Sequence, residues 1–431
     1  MSNALPGVLL GLIEGLAAAV PDRNRRTFVE MLVGGAVTEH GHVTDAISAA
    51  GHSRGWSTYY WLVDNAHWSW LAVWQAWTFL LKKLYPTPQW FVVLDDTLVE
   101  RCSAHAPDAK VHFNHTSKHN RPRYLWGQGW VCLAAVVEWR DRLGAVPLML
   151  RLVRAKGQRS KLETARLMLR LLGDRLGRVC LLTDAWYMRG KLLLTAIGRG
   201  HTVIGRVRKD LALYLEPPPP TGRRGAPRKY GARVTPEMVA RLPVQRSAQL
   251  LYGKLNLVRY QTCCVAARFL KGELVRVVWA QFERPDQPDR PLETWLLLCT
   301  DPHIMAIDVV RRYSKRWSIE PLFFELKHHW GLRDAWQQSR QALMRWVTIL
   351  ALGFALNQVL SCTDPARLNG MAQAAPWRRP GTLTAGIIRT GWNRILQGIG
   401  IQAIFAPKSE KFRHADHQSD ASGGQSQPVA A

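Results

Sequence analysis

Residues 313–327 read YSKRWSIEPLFFELK, a segment that sets Glu320 among Lys315, Arg316 and Lys327. In a helix turning roughly 100° per residue, Tyr313, Arg316, Glu320 and Lys327 fall at about 0°, 300°, 340° and 320°, on a face about 60° wide. A solvated helix scatters such charges for solubility. A face that gathers an acid, two cations and a phenol suits a carboxylate holding something cationic while its neighbours hold something anionic. Pro321 interrupts the pattern, because proline disfavours helix at the residue before it. A helix restarting near Ser318 would place Pro321 in its tolerated first turn and keep Glu320 with Lys327. The phase of Tyr313 and Arg316 would then be lost.

The whole chain shares the basic character of this segment. Its 431 residues carry 58 Lys and Arg against 32 Asp and Glu, a formal net charge of +26. Such a surplus opposes compaction unless a polyanion is near, so nucleic acid is the leading partner class and an anionic membrane the second. Hydrophobic residues at 47% and charged residues at 21% are ordinary for a globular protein of two or three domains. The seven cysteines form no CxxC pair, and several lie in apolar runs such as RVCLLTD. This pattern fits a reducing, cytoplasmic setting better than a disulfide scaffold. The apolar run 346–356 is too short to span a bilayer, so no membrane partner is expected.

Residues 1–88 read as a helical region, with apolar residues recurring at three and four. Trp70, Trp74 and Trp77 form one stripe, read as a packed helix face. Residues 41–63 could form a helix-turn-helix around Gly51. In 89–207 a short buried strand ending at Asp95 and Asp96 precedes a hairpin around RDRLG and a helix opened by Ser160 with Glu163. The strand RVCLLTD, a helix and the strand HTVIGRVR follow. That order indicates a mixed sheet with flanking helices, an α/β fold. Residues 208–292 break the pattern with a Pro/Gly-rich basic loop and β-like runs, an expected insertion. Residues 293–362 restore a core strand and long helices, and 363–431 form an extension with a polar tail.

Asp95, Asp96 and Asp184 sit where strands end and carboxylates can leave the core to converge on a ligand. With Glu320 they offer hard oxygen donors that suit Mg²⁺ or Mn²⁺ rather than zinc. Two such ions would activate a nucleophile and stabilise the leaving oxygen of a phosphodiester, with Lys and Arg neutralising the phosphate. A glycosidase also uses two carboxylates, but it gives no reason for the +26 charge.

The spacing Tyr313-x2-Arg316-x3-Glu320-x6-Lys327 resembles the signature of DDE transposases of bacterial insertion sequences, in the large IS-four-like group. LDDT at 94–97 and LLTDAWY at 181–187 resemble that group's two aspartate motifs, and the resemblance spans about 90–360. It implies a ribonuclease-H-like core interrupted by a β-rich insertion, with Asp96, Asp184 and Glu320 as the catalytic metal ligands. Asp96 is preferred because it directly precedes Thr97, with Asp95 kept as the alternative. Tyr313, Arg316 and Lys327 would contact phosphates at the transposon end. The resemblance further implies Mg²⁺ or Mn²⁺, two ions, double-stranded DNA at transposon ends and target, and a homodimer pairing two ends. The rival expectations are a silent transposase-derived DNA-binding protein and a two-metal nuclease that never joins strands.

Weaker features remain. His105, His112, His115 and His119 read as a solvated basic loop rather than a zinc site. GRRGAPRKYG at 222–231 offers Arg223, Arg224, Arg228 and Lys229 for phosphate contact. Trp279 and Trp295 read as core, and the basic run RLVRAKGQRSK at 151–161 as either a DNA-channel lining or a solvated face.

Overall fold

The structure, a computed structural model, describes residues 5–114, 122–140, 142–157, 159–172, 175–219, 228–283, 292, 294–368, 370–371, 383–406 and 411–412. The expected helical start is present as α1 (Gly7–Ala17), α2 (Asp22–Val37), α3 (Val43–Ala50), α4 (Trp56–Asp64) and α5 (Trp70–Leu84). Gly51, at φ +65°, turns the chain between α3 and α4. The tryptophan stripe of α5 is core: Trp74 and Trp77 are fully buried, and their indole N–H groups donate to Thr348 Oγ1 at 3.2 Å and the Pro147 carbonyl at 2.9 Å.

The catalytic-type sheet follows as β1 (Trp90–Glu100), β2 (Lys110–Phe113), β3 (Tyr124–Trp139), β4 (Arg142–Leu152), α6 (Lys161–Leu172), β5 (Val179–Thr183), α7 (Gly190–Ile197) and β6 (Thr202–Arg206). β3 pairs antiparallel with both β1 and β4, and β1, β5 and β6 run parallel side by side. This spatial order, β4-β3-β1-β5-β6, with helical crossovers on either side of β5, is a ribonuclease-H-like α/β core. Val92, Val93 and Leu94 are all fully buried because both faces of β1 are covered.

The β-rich stretch comprises β7 (Leu213–Tyr214), a short α8 (Pro236–Ala240), β8 (Gln245–Leu251), β9 (Lys254–Ala267) and β10 (Glu273–Glu283). It continues the same sheet: β11 (Thr294–Cys299) pairs antiparallel with β6 on one side and β10 on the other. The chain closes with α9 (Ala306–Ser314), a 3₁₀ turn over Lys315–Ser318, α10 (Ile319–His328), α11 (Arg340–Ser361) and α12 (Ala385–Ile404).

Helix α11 is long and apolar enough to cross a membrane, and it is also the central helix of the fold. It packs against α2, α4, α5, β4 and α12 and is buried along nearly its whole length. Arg345, buried within it, donates to the carbonyls of Val63, Asp64, Ala66 and Trp68. One guanidinium thereby closes the C-terminal end of α4 onto the core.

Candidate active site

The site begins with a difference in strand length. β1 does not end at the aspartates: it continues to Glu100 against β3. Its parallel neighbour β5 stops earlier, the last pair being Leu94↔Thr183. Asp95 and Asp184 each follow that pair, so two carboxylates emerge side by side where one strand has given out. The Asp184 carboxylate caps the turn after β5, accepting the backbone N–H groups of Trp186 at 3.0 Å and Tyr187 at 3.1 Å.

The third acid arrives on α10. The helix restarts after the 3₁₀ turn and takes Pro321 in its first turn, where no N–H is missed. Despite the interruption, the Arg316 guanidinium lies over the Tyr313 ring at 5.9 Å, donates to Asp95 Oδ2 at 2.9 Å and stands 3.8 Å from Glu320 Oε1. Arg316 thus joins two acids that lie far apart in sequence. Arg101, near the end of β1, fixes the chain just beyond α10 by donating to the carbonyls of Leu332 and Arg333.

Electrostatics agree with this crowding. Burial first, then the neighbouring Asp184 charge, pushes the Asp95 carboxyl up to about 7, against the pull of Arg316. Burial also raises Asp184, with the Tyr187 N–H and Arg316 opposing. Lys327 is drawn below its ordinary range by burial and by Arg333, while Glu320, Glu100 and Asp96 hold it up.

Asp96 belongs to the other face of β1, by the alternation of a strand. Lys161, the first residue of α6, reaches it at 2.8 Å, and the Tyr187 hydroxyl donates to its Oδ1 at 2.9 Å. The Lys161 ammonium also sits 3.9 Å from the centre of the Trp186 ring. The structure therefore brings Asp95, Asp184 and Glu320 around Arg316, with Tyr313 buried beside them. Asp96 borders the same cluster: its charge raises Asp184 and holds up Lys327. Tyr187 links the two acids, donating its backbone N–H to Asp184 and its hydroxyl to Asp96.

Among the described residues no group of three or more His, Cys, Asp or Glu gathers closely enough to hold a metal ion, and Arg316 fills the place between Asp95 and Glu320. The donors are nevertheless hard oxygens that already draw in a cation, and such a set fits Mg²⁺ or Mn²⁺.

Two aromatic residues flank the site: Tyr252, which escaped the sequence reading, and Trp295, which the sequence reads as core. Tyr252 and Gly253, both at positive φ, form the two-residue turn of the β8–β9 hairpin. That hairpin carries the Tyr252 ring to 6.4 Å from the Trp317 ring, and the phenol is pushed up to about 12, chiefly by burial. The signal was Tyr-Gly between two apolar β-like runs. Trp295 packs edge-on against Phe282 and Tyr313, so it lines the wall behind the site. Arg228 and Lys229 are exposed, whereas Arg223 and Arg224 lie outside the described residues, as do His115 and His119.

A ribonuclease-H-like sheet with carboxylates at its centre defines the fold class and the place where its chemistry would sit. Within that class, a family model described as DDE superfamily endonuclease matches residues 15–250, more than half the chain, and the chain belongs to that family. The match includes Asp95, Asp96 and Asp184 and stops before Glu320. No curated protein matches the chain.

Proposed function

We propose that this DDE-family endonuclease is a metal-dependent DNA transposase of the insertion-sequence type, in the IS-four-like group. The observation that carries the reading is the Arg316 guanidinium binding Asp95 and approaching Glu320, beside Asp184. Asp95, Asp184 and Glu320 would hold Mg²⁺ or Mn²⁺, as two ions, after Arg316 swings from the acids to a DNA phosphate. Bound metal would supply an activated water for cutting and charge neutralisation at the scissile phosphate. Asp96, expected from the sequence as the first ligand, would instead remain with Lys161 and Tyr187, and Asp95 would take its role. Tyr313 supports Arg316 through its ring, and Lys327 stands near Glu320 to meet phosphate oxygens.

The helical N-terminal region would recognise the terminal repeats, and two copies of the chain would pair two ends. The freed 3′ hydroxyl would then attack target DNA at the same acids. The experiment is nicking of supercoiled plasmid carrying the element's ends, with Mg²⁺, by wild type and Glu320→Gln. Pre-cut ends would then be offered for joining. Wild type should nick and join while the variant does neither. Equal inertness of both on correct ends would refute the enzyme reading, and nicking without joining would leave a nuclease.

A further inference from the structure

From the connection between β4 and α6, residues 153–155, 157, 159 and 160 wall a cavity of about 400 Å³ beside Asp96. Lys110, His112, Arg154 and Lys161 line this cavity, with Asp96 and Trp186 at its border with the acids. Its charge is poorly balanced. Lys161 is paired with Asp96, but Lys110 and Arg154 make no ion pair among the described residues. His112 Nε2 is buried without a hydrogen-bond partner among them. Self-repulsion is visible in the neighbours: after burial, Lys110 and then Lys161 lower the His112 imidazole, and Arg159 with Arg154 lower Arg151. Gathering uncompensated cations around a buried imidazole nitrogen that lacks a partner costs folding stability, and a bound anion, which also favours protonation of that nitrogen, removes the cost.

We infer that this cavity is a second DNA-contact site, in which Lys110, Arg154 and His112 take backbone phosphates of a strand passing Trp186 toward the acids. The inference rests on the reading of the chain as a DNA-processing enzyme, and it extends that reading to the face of β1 opposite Asp95. Trp186 lies two residues beyond Asp184 and is held by the Lys161 ammonium, so it joins the two faces physically. The neighbouring acid does not argue against phosphate, because Lys161 and the Tyr187 hydroxyl already satisfy Asp96.

The test is anisotropy of a labelled duplex carrying the element's end, in EDTA so that metal plays no part, across a salt series. Lys110→Gln/Arg154→Gln should bind about tenfold more weakly near physiological salt and lower the salt slope by about 2, since each lost phosphate contact removes roughly 0.9. A control pair with the same charge loss outside the cavity, Lys83→Gln/Arg241→Gln, should change affinity less than about twofold. The charge-preserving pair Lys110→Arg/Arg154→Lys should bind as wild type, which also excludes misfolding as the cause. Equal losses in the two neutralised pairs would overturn the inference and leave general surface charge. Displacement of the duplex by inorganic phosphate from wild type but not from Lys110→Gln/Arg154→Gln, at constant ionic strength, would overturn it in favour of a free-anion site. Glu320→Gln should bind normally. Absent nicking by wild type on the correct ends, with cavity-dependent binding intact, would sink the enzyme reading and leave the contact site standing.

Discussion

Replacing Asp95 by asparagine should make the metal-free protein more stable at alkaline pH while destroying its metal response. The carboxyl is raised from 3.8 to about 7 by burial and by Asp184. A raised pKa means that the native state prefers the protonated form. The contribution is therefore fully present below about 4 and is lost as pH rises through about 7. At about 1.36 kcal/mol per pKa unit, ionising Asp95 has cost the fold somewhat under 2 kcal/mol by pH 5 and roughly 4 kcal/mol by pH 8. Asparagine mimics the protonated acid at every pH, so the variant should gain roughly 2–3 kcal/mol on wild type between those two pH values. Urea unfolding in EDTA at several pH values measures this directly through the midpoint at constant slope. Adding Mg²⁺ at pH 8 should raise the wild-type midpoint, because a ligand of the native state stabilises it, and should leave Asp95→Asn unmoved. Parallel pH profiles for the two proteins would refute the argument, since they would mean that Asp95 is not the strained acid of the pair. A variant that kept its Mg²⁺ response would refute the assignment of Asp95 as a ligand.

Other changes probe the frame that holds the site. Glu320→Gln should lower Mg²⁺-dependent nicking by roughly a hundredfold or more, as several kcal/mol of transition-state stabilisation are lost, with duplex binding unchanged by anisotropy. Arg345→Leu strips buried donors from the carbonyls of Val63, Asp64, Ala66 and Trp68, and should cost about 2–4 kcal/mol in urea unfolding. Gly34→Ala would set a Cβ 2.0 Å from the Ala46 carbonyl oxygen, so α2 and α3 must separate; a loss of roughly 3 kcal/mol should appear as a lowered melting temperature. Tyr187→Phe removes a 2.9 Å hydrogen bond to Asp96 and should cost about 1 kcal/mol, a far smaller effect than either core change.

What local pattern controls was legible in the sequence. The tryptophan stripe, the Ser160 cap and the strand–hairpin–helix order each depend on residues within a few positions of one another. Ser160 Oγ does accept the Glu163 N–H at 3.2 Å, although the Glu163 carboxylate turns to Arg166 instead of closing a capping box. What depends on pairing across long separations was not legible. Apolar β-like runs in 245–283 could equally have formed a separate layer. Their place in the main sheet follows from β11 lying between β6 and β10, and no spacing announces that. The extension of β1 beyond its acids is hidden for the same reason: its partner there is β3, whose residues Val131 and Cys132 lie opposite Asp96 and Asp95.

The choice between Asp95 and Asp96 shows this limit most sharply. Period-two alternation says that two adjacent acids must face opposite sides, but not which side holds the rest of the chemistry. What each acid contacts depends on Arg316, 221 residues from Asp95, and on Lys161, 65 residues from Asp96. Both acids escape the core because β5 ends at Thr183, opposite Leu94, one residue before Asp95 and two before Asp96. Asp95 meets Arg316 and feels the charge of Asp184, while Asp96 anchors the lysine that begins α6, borders a cation-lined cavity and also acts on Asp184. The pair is therefore best understood as one point on a central strand that serves two surfaces. In the proposed function Asp95 would supply charge for a metal, and Asp96 would keep Lys161 and Tyr187 in place where DNA phosphates approach. Asp96→Asn should then strengthen duplex binding in EDTA, because it removes an acid from the cation-lined cavity and frees Lys161 for phosphate, whereas Asp95→Asn should change it less. An opposite ranking of the two variants would exchange their roles.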